Sequence, residues 1–249
     1  MSSLYFVLFV CILYLFINFK PNKKFNINTI TLNTKPSKSQ ERLTFNSTQT
    51  LGEYYFHQLE KIDMTILNQC TKIQCESNSN QETLVEINNL IELKSQRDIV
   101  TIQEINIEND PNFLNTVIAG LNMSQEEKEF VYRIYTEIVN PTTVGLKLYF
   151  NRVRPSFCNP DIEPIIEIPN HPSYPSGHAI QHYFMAYYLY YRHNNKDYFE
   201  KANIIAKNRE IAGVHFESDS KYGKLIAFDL IKIILKLIDE EVLYFKSNN

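Results

Sequence analysis

Apolar side chains recur at steps of three and four along most of this chain, which predicts helices. Leu51, Tyr54, Tyr55, Leu59, Ile62 and Ile66 form one such stripe, and Thr83 to Ile105 carries another through Leu84, Ile87, Leu90, Ile91 and Leu93. Asp110-Pro111 suits a helix start, with Pro at the first helical position. Ser124-Gln125-Glu126-Glu127 reads as a capping box, opening a helix with Phe130, Val131, Ile134, Tyr135 and Ile138 inside, which Pro141 breaks or kinks. Further helices are predicted from Gly177 to Tyr191, from Lys196 to Val214, and from about Ser218 to Phe245 with Leu225, Phe228, Ile231, Leu235 and Ile238 on one side. The weak alternation from Ile162 to Ile168 is demoted as a strand by Pro164 and Pro169. The expected fold class is therefore all-α, a helical bundle.

Two stretches stand outside this pattern. Leu4 to Ile17 is an unbroken apolar run, and Met1 to Phe19 carries no charged side chain before Lys20, Lys23 and Lys24. It is short for a spanning helix, which needs about 20 residues, yet long enough to reach across. No basic residue precedes it and no small-x-small site follows, so it reads as an uncleaved single-pass anchor, with a cleaved signal and a secreted domain as the alternative. The lysines behind it argue for a cytoplasmic domain, whereas the sequons at Asn46 and Asn122 suit a lumenal one, and sidedness stays open. Residues 151–176 hold six of the ten prolines and read as a rigid irregular loop. The domain plan is an anchor at 1–19, a polar linker at 20–50 and one catalytic domain at 51–249.

Composition narrows the class. At 249 residues the chain suits one good-sized domain, and a mean hydropathy of -0.28 excludes a polytopic membrane protein. A net charge of -3 gives no general attraction to nucleic acid. Cys11, Cys70, Cys75 and Cys158 show no zinc-ligand spacing, so no metal is expected; Cys70 and Cys75 form either a disulfide or two free thiols.

The chemistry concentrates in three clusters. The first runs from Lys147 to Arg154-Pro155, the second is Pro175-Ser176-Gly177-His178, and the third runs from Asn208-Arg209 through His215 to Asp219. Lys147, Arg154 and Arg209 are three cations, two of them guanidiniums whose forks match a tetrahedral oxyanion. Ser176-Gly177 opens a helix, whose N-terminal N–H groups and dipole favour an anion. Asp219 lies four residues beyond His215, where a carboxylate can hold one ring nitrogen and leave the other as a nucleophile. Any one cluster alone is weak, since four-residue strings arise by chance.

Taken together, in this order and spacing, the clusters resemble the K-x6-RP, PSGH and SR-x5-H-x3-D signature of the PAP2 / class A acid phosphatase / vanadium haloperoxidase superfamily. Asn208 stands where the pattern has Ser, which leaves the fine tuning of the pocket in question but not the reaction class. The resemblance implies a helical bundle of the PAP2/haloperoxidase type. It implies that His215 attacks phosphorus, that Asp219 orients it, and that His178 protonates the leaving oxygen. Lys147, Arg154, Ser176, Gly177 and Arg209 would hold the phosphoryl oxygens. The leading reading is a metal-free phosphomonoester hydrolase acting on a phosphorylated small molecule. A lipid phosphate phosphatase, a vanadium-dependent haloperoxidase and a membrane-tethered non-catalytic relative are the alternatives. No cofactor is implied; vanadate would act as an inhibitor, or as the cofactor in a haloperoxidase. Residues 156–174 and the helix before Lys147 are expected to form the rim that selects substrate. His171 either lines the entrance or lies at the surface, whereas His57, His182 and His193 are expected to be structural or exposed.

Overall fold

The computed structural model describes Asp63, Ile66, Cys70 and residues 80–247, with side chains in the latter stretch described from 82 to 236. The anchor at 1–19, the linker at 20–50, Cys11, Cys75 and most of the first predicted helix lie outside these residues. Ile66 and Cys70 are helical and buried, and Cys70 is a free cysteine.

The described residues form an all-helical bundle with no extended strand: α1 (Asn80–Glu92), α2 (Ile99–Glu108), α3 (Phe113–Gly120), α4 (Gln125–Ile134), α5 (Asn140–Phe150), α6 (Pro155–Cys158), α7 (Gly177–His193), α8 (Tyr198–Ile211) and α9 (Glu217–Ser247). Among them no helix is long and apolar enough to cross a membrane. Helix α7 is the central element and packs on α8 and α9. Ala179, Ile180, Tyr183, Phe184 and Met185 meet Ile226, Ala227, Leu230, Ile231 and Ile234 in the main core. Buried Ile226, Leu230 and Ile234 thus mark the inner face of α9, while Leu225, expected there, is 45% exposed. A second core joins Ile87, Leu90, Leu93 and Ile105 to Ile162, Ile211, Val214 and Phe216, fastening the N-terminal helices beneath the third cluster.

Several boundaries differ from the sequence reading. The helix start expected at Asp110-Pro111 falls instead at Phe113, because Asp110 accepts from the Asn112 N–H at 2.7 Å and holds a turn before the helix. The helix expected over Thr83–Ile105 is broken by a 3-10 turn at Leu93–Gln96 and restarts at Asp98, whose side chain accepts from the Thr101 N–H at 2.8 Å. At the break Arg97 turns away to donate to the carbonyls of Ile211, Ile162 and Glu163, contacts that local periodicity does not encode. Pro141 does not break its helix. The missing N–H is absorbed by a π turn at Tyr135–Val139, so α4, the π turn and α5 form one continuous rod. Ser124 caps α4 through the Glu127 N–H at 3.2 Å, but the Glu127 carboxylate reaches Tyr188 and His193 in α7. In place of the helix end predicted at Val214, α8 stops at Ile211 and Gly213 turns the chain at φ 79°. A Cβ there would lie 2.9 Å from Ile162, so the turn requires glycine.

Candidate active site

The three clusters converge on one cavity of about 180 Å3, lined by Lys147, Arg154, His171, Gly177, His178, Arg209 and His215 among others. Each residue arrives on a different element. Lys147 sits in the last turn of α5, and Arg154 immediately precedes α6. Gly177 and His178 open α7 and line the cavity, which places the cavity at the positive N-terminal end of a 17-residue helix. Arg209 ends α8, and His215 leaves the Gly213 turn just before α9.

His215 is held at both ring nitrogens. Its Nδ1 lies 3.1 Å from Asp219 Oδ2, and its Nε2 lies 3.1 Å from Arg154 Nη1. Guanidinium only donates, so Nε2 carries the lone pair and Nδ1–H donates to the carboxylate. Nε2 is therefore the nitrogen able to act as a nucleophile. Burial and then Arg154 push the imidazole well below its usual pKa, opposed by Asp219. Asp219 is itself fully buried. Its carboxylate accepts from the Phe216 N–H at 3.0 Å, from Arg152 at 2.7 Å and from the Ser173 hydroxyl. Burial alone would raise its pKa, but Arg152, His215 and Ser173 together bring it well below the usual carboxylate range.

The cations are held differently from one another. Lys147 Nζ donates to the carbonyls of Pro172 (3.0 Å), Ser173 (3.0 Å) and Pro175 (2.6 Å). All three ammonium donors are thereby used, so Lys147 braces the proline-rich loop and acts on the cavity as a buried charge. Arg154 donates to the Val214 carbonyl, to the His171 carbonyl and to His171 Nδ1. Arg209 donates to Glu108 at 2.7 Å and to the Ile105 carbonyl at 3.1 Å, while its buried Nε and Nη1 have no hydrogen-bond partner among the described residues. Buried donors left unpaired are costly and call for an acceptor in the cavity.

His178 lines the cavity with its Nε2 3.0 Å from the Glu108 carbonyl. Burial, Arg209, Lys147 and Arg154 lower its pKa to about 3, against the opposing carbonyl bond. Ser176 is the N-cap of α7, accepting from the Ala179 N–H at 3.4 Å, and is not among the cavity-lining residues. A Cβ on Gly177 would meet only ordinary contacts, 3.7 Å from Thr143 and 4.0 Å from Lys147. It would occupy space at the cavity wall, so the absent side chain leaves room for a ligand.

Several functional residues carry no sequence signal of their own. Glu108, in α2, holds Arg209 through one oxygen and the Asn208 amide through the other, at 2.8 Å. Asn208, which departs from the family pattern, thus turns to the carboxylate that fixes Arg209. Arg152 is buried between Asp219, Glu86 (2.6 Å) and the Phe216 ring, with its guanidinium carbon 3.9 Å from the ring centroid. His171, for which the sequence left an entrance or a surface position open, joins the cavity wall. His182, expected to be structural or exposed, is buried and lines an adjoining cavity. Among the described residues no group of three or more His, Cys, Asp or Glu side chains is placed to hold a metal ion.

Residues 130–242 match the family model of the PAP2 superfamily, and that segment contains all three clusters. Over that segment the chain is similar to the PAP2 superfamily. Among solved structures, a bacterial vanadium-dependent iodoperoxidase is similar at 14% identity over 64% of this chain, with a TM-score of 0.46. The match spans 50% of the length of that protein. A transmembrane PAP2-type phosphatidylglycerolphosphate phosphatase from Bacillus subtilis is similar at 18% identity over 72% of this chain and 84% of its own, with a TM-score of 0.38. A search of curated proteins finds no match.

Proposed function

We propose that this protein is a phosphomonoester hydrolase that needs no metal and works through a phosphohistidine at His215. One observation carries the reading: a single cavity is lined by three buried cations, by an Arg209 with two unpartnered donors, and by His215, whose Nε2 lone pair is oriented by Arg154. Charge of this kind is tolerated away from water when an anion completes it. Phosphoryl transfer asks chiefly for positioning and for charge on the equatorial oxygens, which the guanidiniums of Arg154 and Arg209, the α7 N-terminus and the Lys147 charge supply.

In the first step Nε2 of His215 forms a bond to phosphorus and the bond to the ester oxygen breaks. His178 gives its proton to that oxygen, releasing an alcohol. In the second step water attacks phosphorus, its proton passes to His178, and the P–N bond breaks to release phosphate. Nε2–H of His178 is engaged by the Glu108 carbonyl, so the transferred proton belongs to Nδ1. Burial and then the neighbouring cations hold this imidazole neutral in the free site, and an incoming phosphate dianion offsets that field and lets it take a proton from solvent before the first step. Ser176 contributes through the helix it caps.

The substrate is a phosphorylated small molecule or a lipid phosphate presented at a membrane, with the segment 1–19 as the tether. Vanadate, which adopts the trigonal-bipyramidal geometry of the transition state, is expected to inhibit. The test is p-nitrophenyl phosphate hydrolysis in chelator, with and without orthovanadate, beside His215→Ala. Turnover that vanadate blocks, with a loss of at least about a thousandfold in the variant, is expected. Activity that survives His215→Ala would remove His215 from the mechanism, and vanadate-dependent halide oxidation without hydrolysis would favour the haloperoxidase reading.

A further inference from the structure

A second cavity, of about 300 Å3, adjoins the first and shares Asn109, Asn140, His178 and Gln181 with it. Building on the phosphatase reading, we propose that this cavity receives the leaving group, and that the leaving group is a neutral, polyhydroxylated alcohol.

The direction follows from the two histidines. In an in-line displacement the nucleophile and the leaving oxygen lie on opposite sides of phosphorus. His215 lines only the first cavity, while His178 lines both. The alcohol therefore departs past His178, away from His215, and into the second cavity.

The chemistry of the walls selects the class. Two helices carry polar side chains inward there. Along the continuous rod of α4, the π turn and α5, Tyr132, Thr136, Asn140, Thr143 and Lys147 follow one another at steps of four, four, three and four, leading from the outer rim to the phosphate cradle. The π turn lies on this wall, and such turns are frequent at functional sites. On α7, His178, Gln181 and His182 share one face. Gln181 Nε2 donates to Asn140 Oδ1 at 3.0 Å, which leaves the Gln181 oxygen and the Asn140 amide nitrogen for a ligand. His182 is fully buried. Its Nδ1 meets the Tyr198 hydroxyl at 2.8 Å, but its Nε2 has no hydrogen-bond partner among the described residues. A buried polar atom in that state on a cavity wall asks for a ligand hydroxyl.

Charge excludes the other classes. The lining contains the carboxylates of Glu108 and Asp110 and neither lysine nor arginine, so a second phosphate or a carboxylate on the leaving group would meet no counter-charge. An acyl chain would bury the amides of Asn140 and Gln181 without partners.

The test compares kcat/KM of the full chain for glycerol 1-phosphate and n-propyl phosphate, which have the same carbon skeleton with and without the two hydroxyls. A preference of at least about tenfold for the glycerol ester is expected, since a site built to bond hydroxyls rejects an analogue that lacks them. Asn140→Leu should collapse that ratio to within about threefold, and Thr136→Val, a milder change on the same wall, should lower it in the same direction. Equal rates for the two esters, or a ratio that survives in both folded variants, would overturn the assignment while hydrolysis itself stood. Absence of turnover for both esters and for p-nitrophenyl phosphate would instead overturn the phosphatase reading and this inference with it.

Discussion

Asp219 accepts from four different groups, and this fixes His215. Arg152, Ser173 and the Phe216 N–H hold the carboxylate in one orientation, so the remaining bond can only point at His215 Nδ1. The imidazoles around this core share one electrostatic condition. His171, His178, His182 and His215 are all pushed below their usual pKa, in each case by burial first and by neighbouring basic groups after it. The consequence for stability has a definite sign. Below about pH 6.5 the unfolded chain protonates these histidines while the folded protein keeps them neutral, so the unfolded state binds more protons and stability rises with pH. Glu108 and Glu210, raised by burial, act in the opposite direction, but four imidazoles outweigh two carboxyls. Thermal melts are expected to show Tm climbing from pH 5 to about pH 6.5 and then levelling for these groups. A flat profile over that window would mean that the histidines are charged in the folded protein.

The helices set these residues in place, and α7 matters most because its first turn is the floor of the cradle. That turn lies against α9 at Gly223, where a Cβ would come 2.9 Å from Ala179 Cβ and 3.2 Å from the Ser176 carbonyl. Gly223→Ala should therefore cost about 1–3 kcal/mol through overpacking and also lower kcat/KM, because relief of the clash shifts the Ser176–Gly177 turn. Denaturant unfolding beside the p-nitrophenyl phosphate assay checks both; an alanine variant equal to the parent in stability and rate would show that the approach is not tight. At this scale the sequence is readable where information is local. Helix α7, the proline-rich loop and the eight expected site residues lie in motifs whose spacing carries their meaning, although Ser176 caps its helix and is absent from the cavity lining. The break at Arg97 was not readable, because its three carbonyl partners lie 65, 66 and 114 residues away. The same holds for Glu108, which reaches Arg209 across 101 residues, and for the inner face of α9, which the packing of α7 selects.

In the molecule as a whole, the cradle and its support come from different parts of the chain. Residues 147–219 supply the proposed phosphate cradle and the two histidines assigned to the chemistry, within the segment 130–242 that matches the PAP2 family model. Glu86, Arg97 and Glu108, which precede that segment, hold Arg152, the Gly213 turn and Arg209 from outside. The N-terminal helices thereby act as a buttress whose polar anchors end on residues of the candidate site and its support. The acceptor of the phosphoryl group is the point on which the whole account turns, and trapping it is the most direct measurement. Full-length protein mixed with substrate, quenched in alkali and digested should yield one acid-labile phosphopeptide with the phosphoryl group on His215. A phosphoryl group on any other residue, or none in an enzyme that is turning over, would contradict the mechanism.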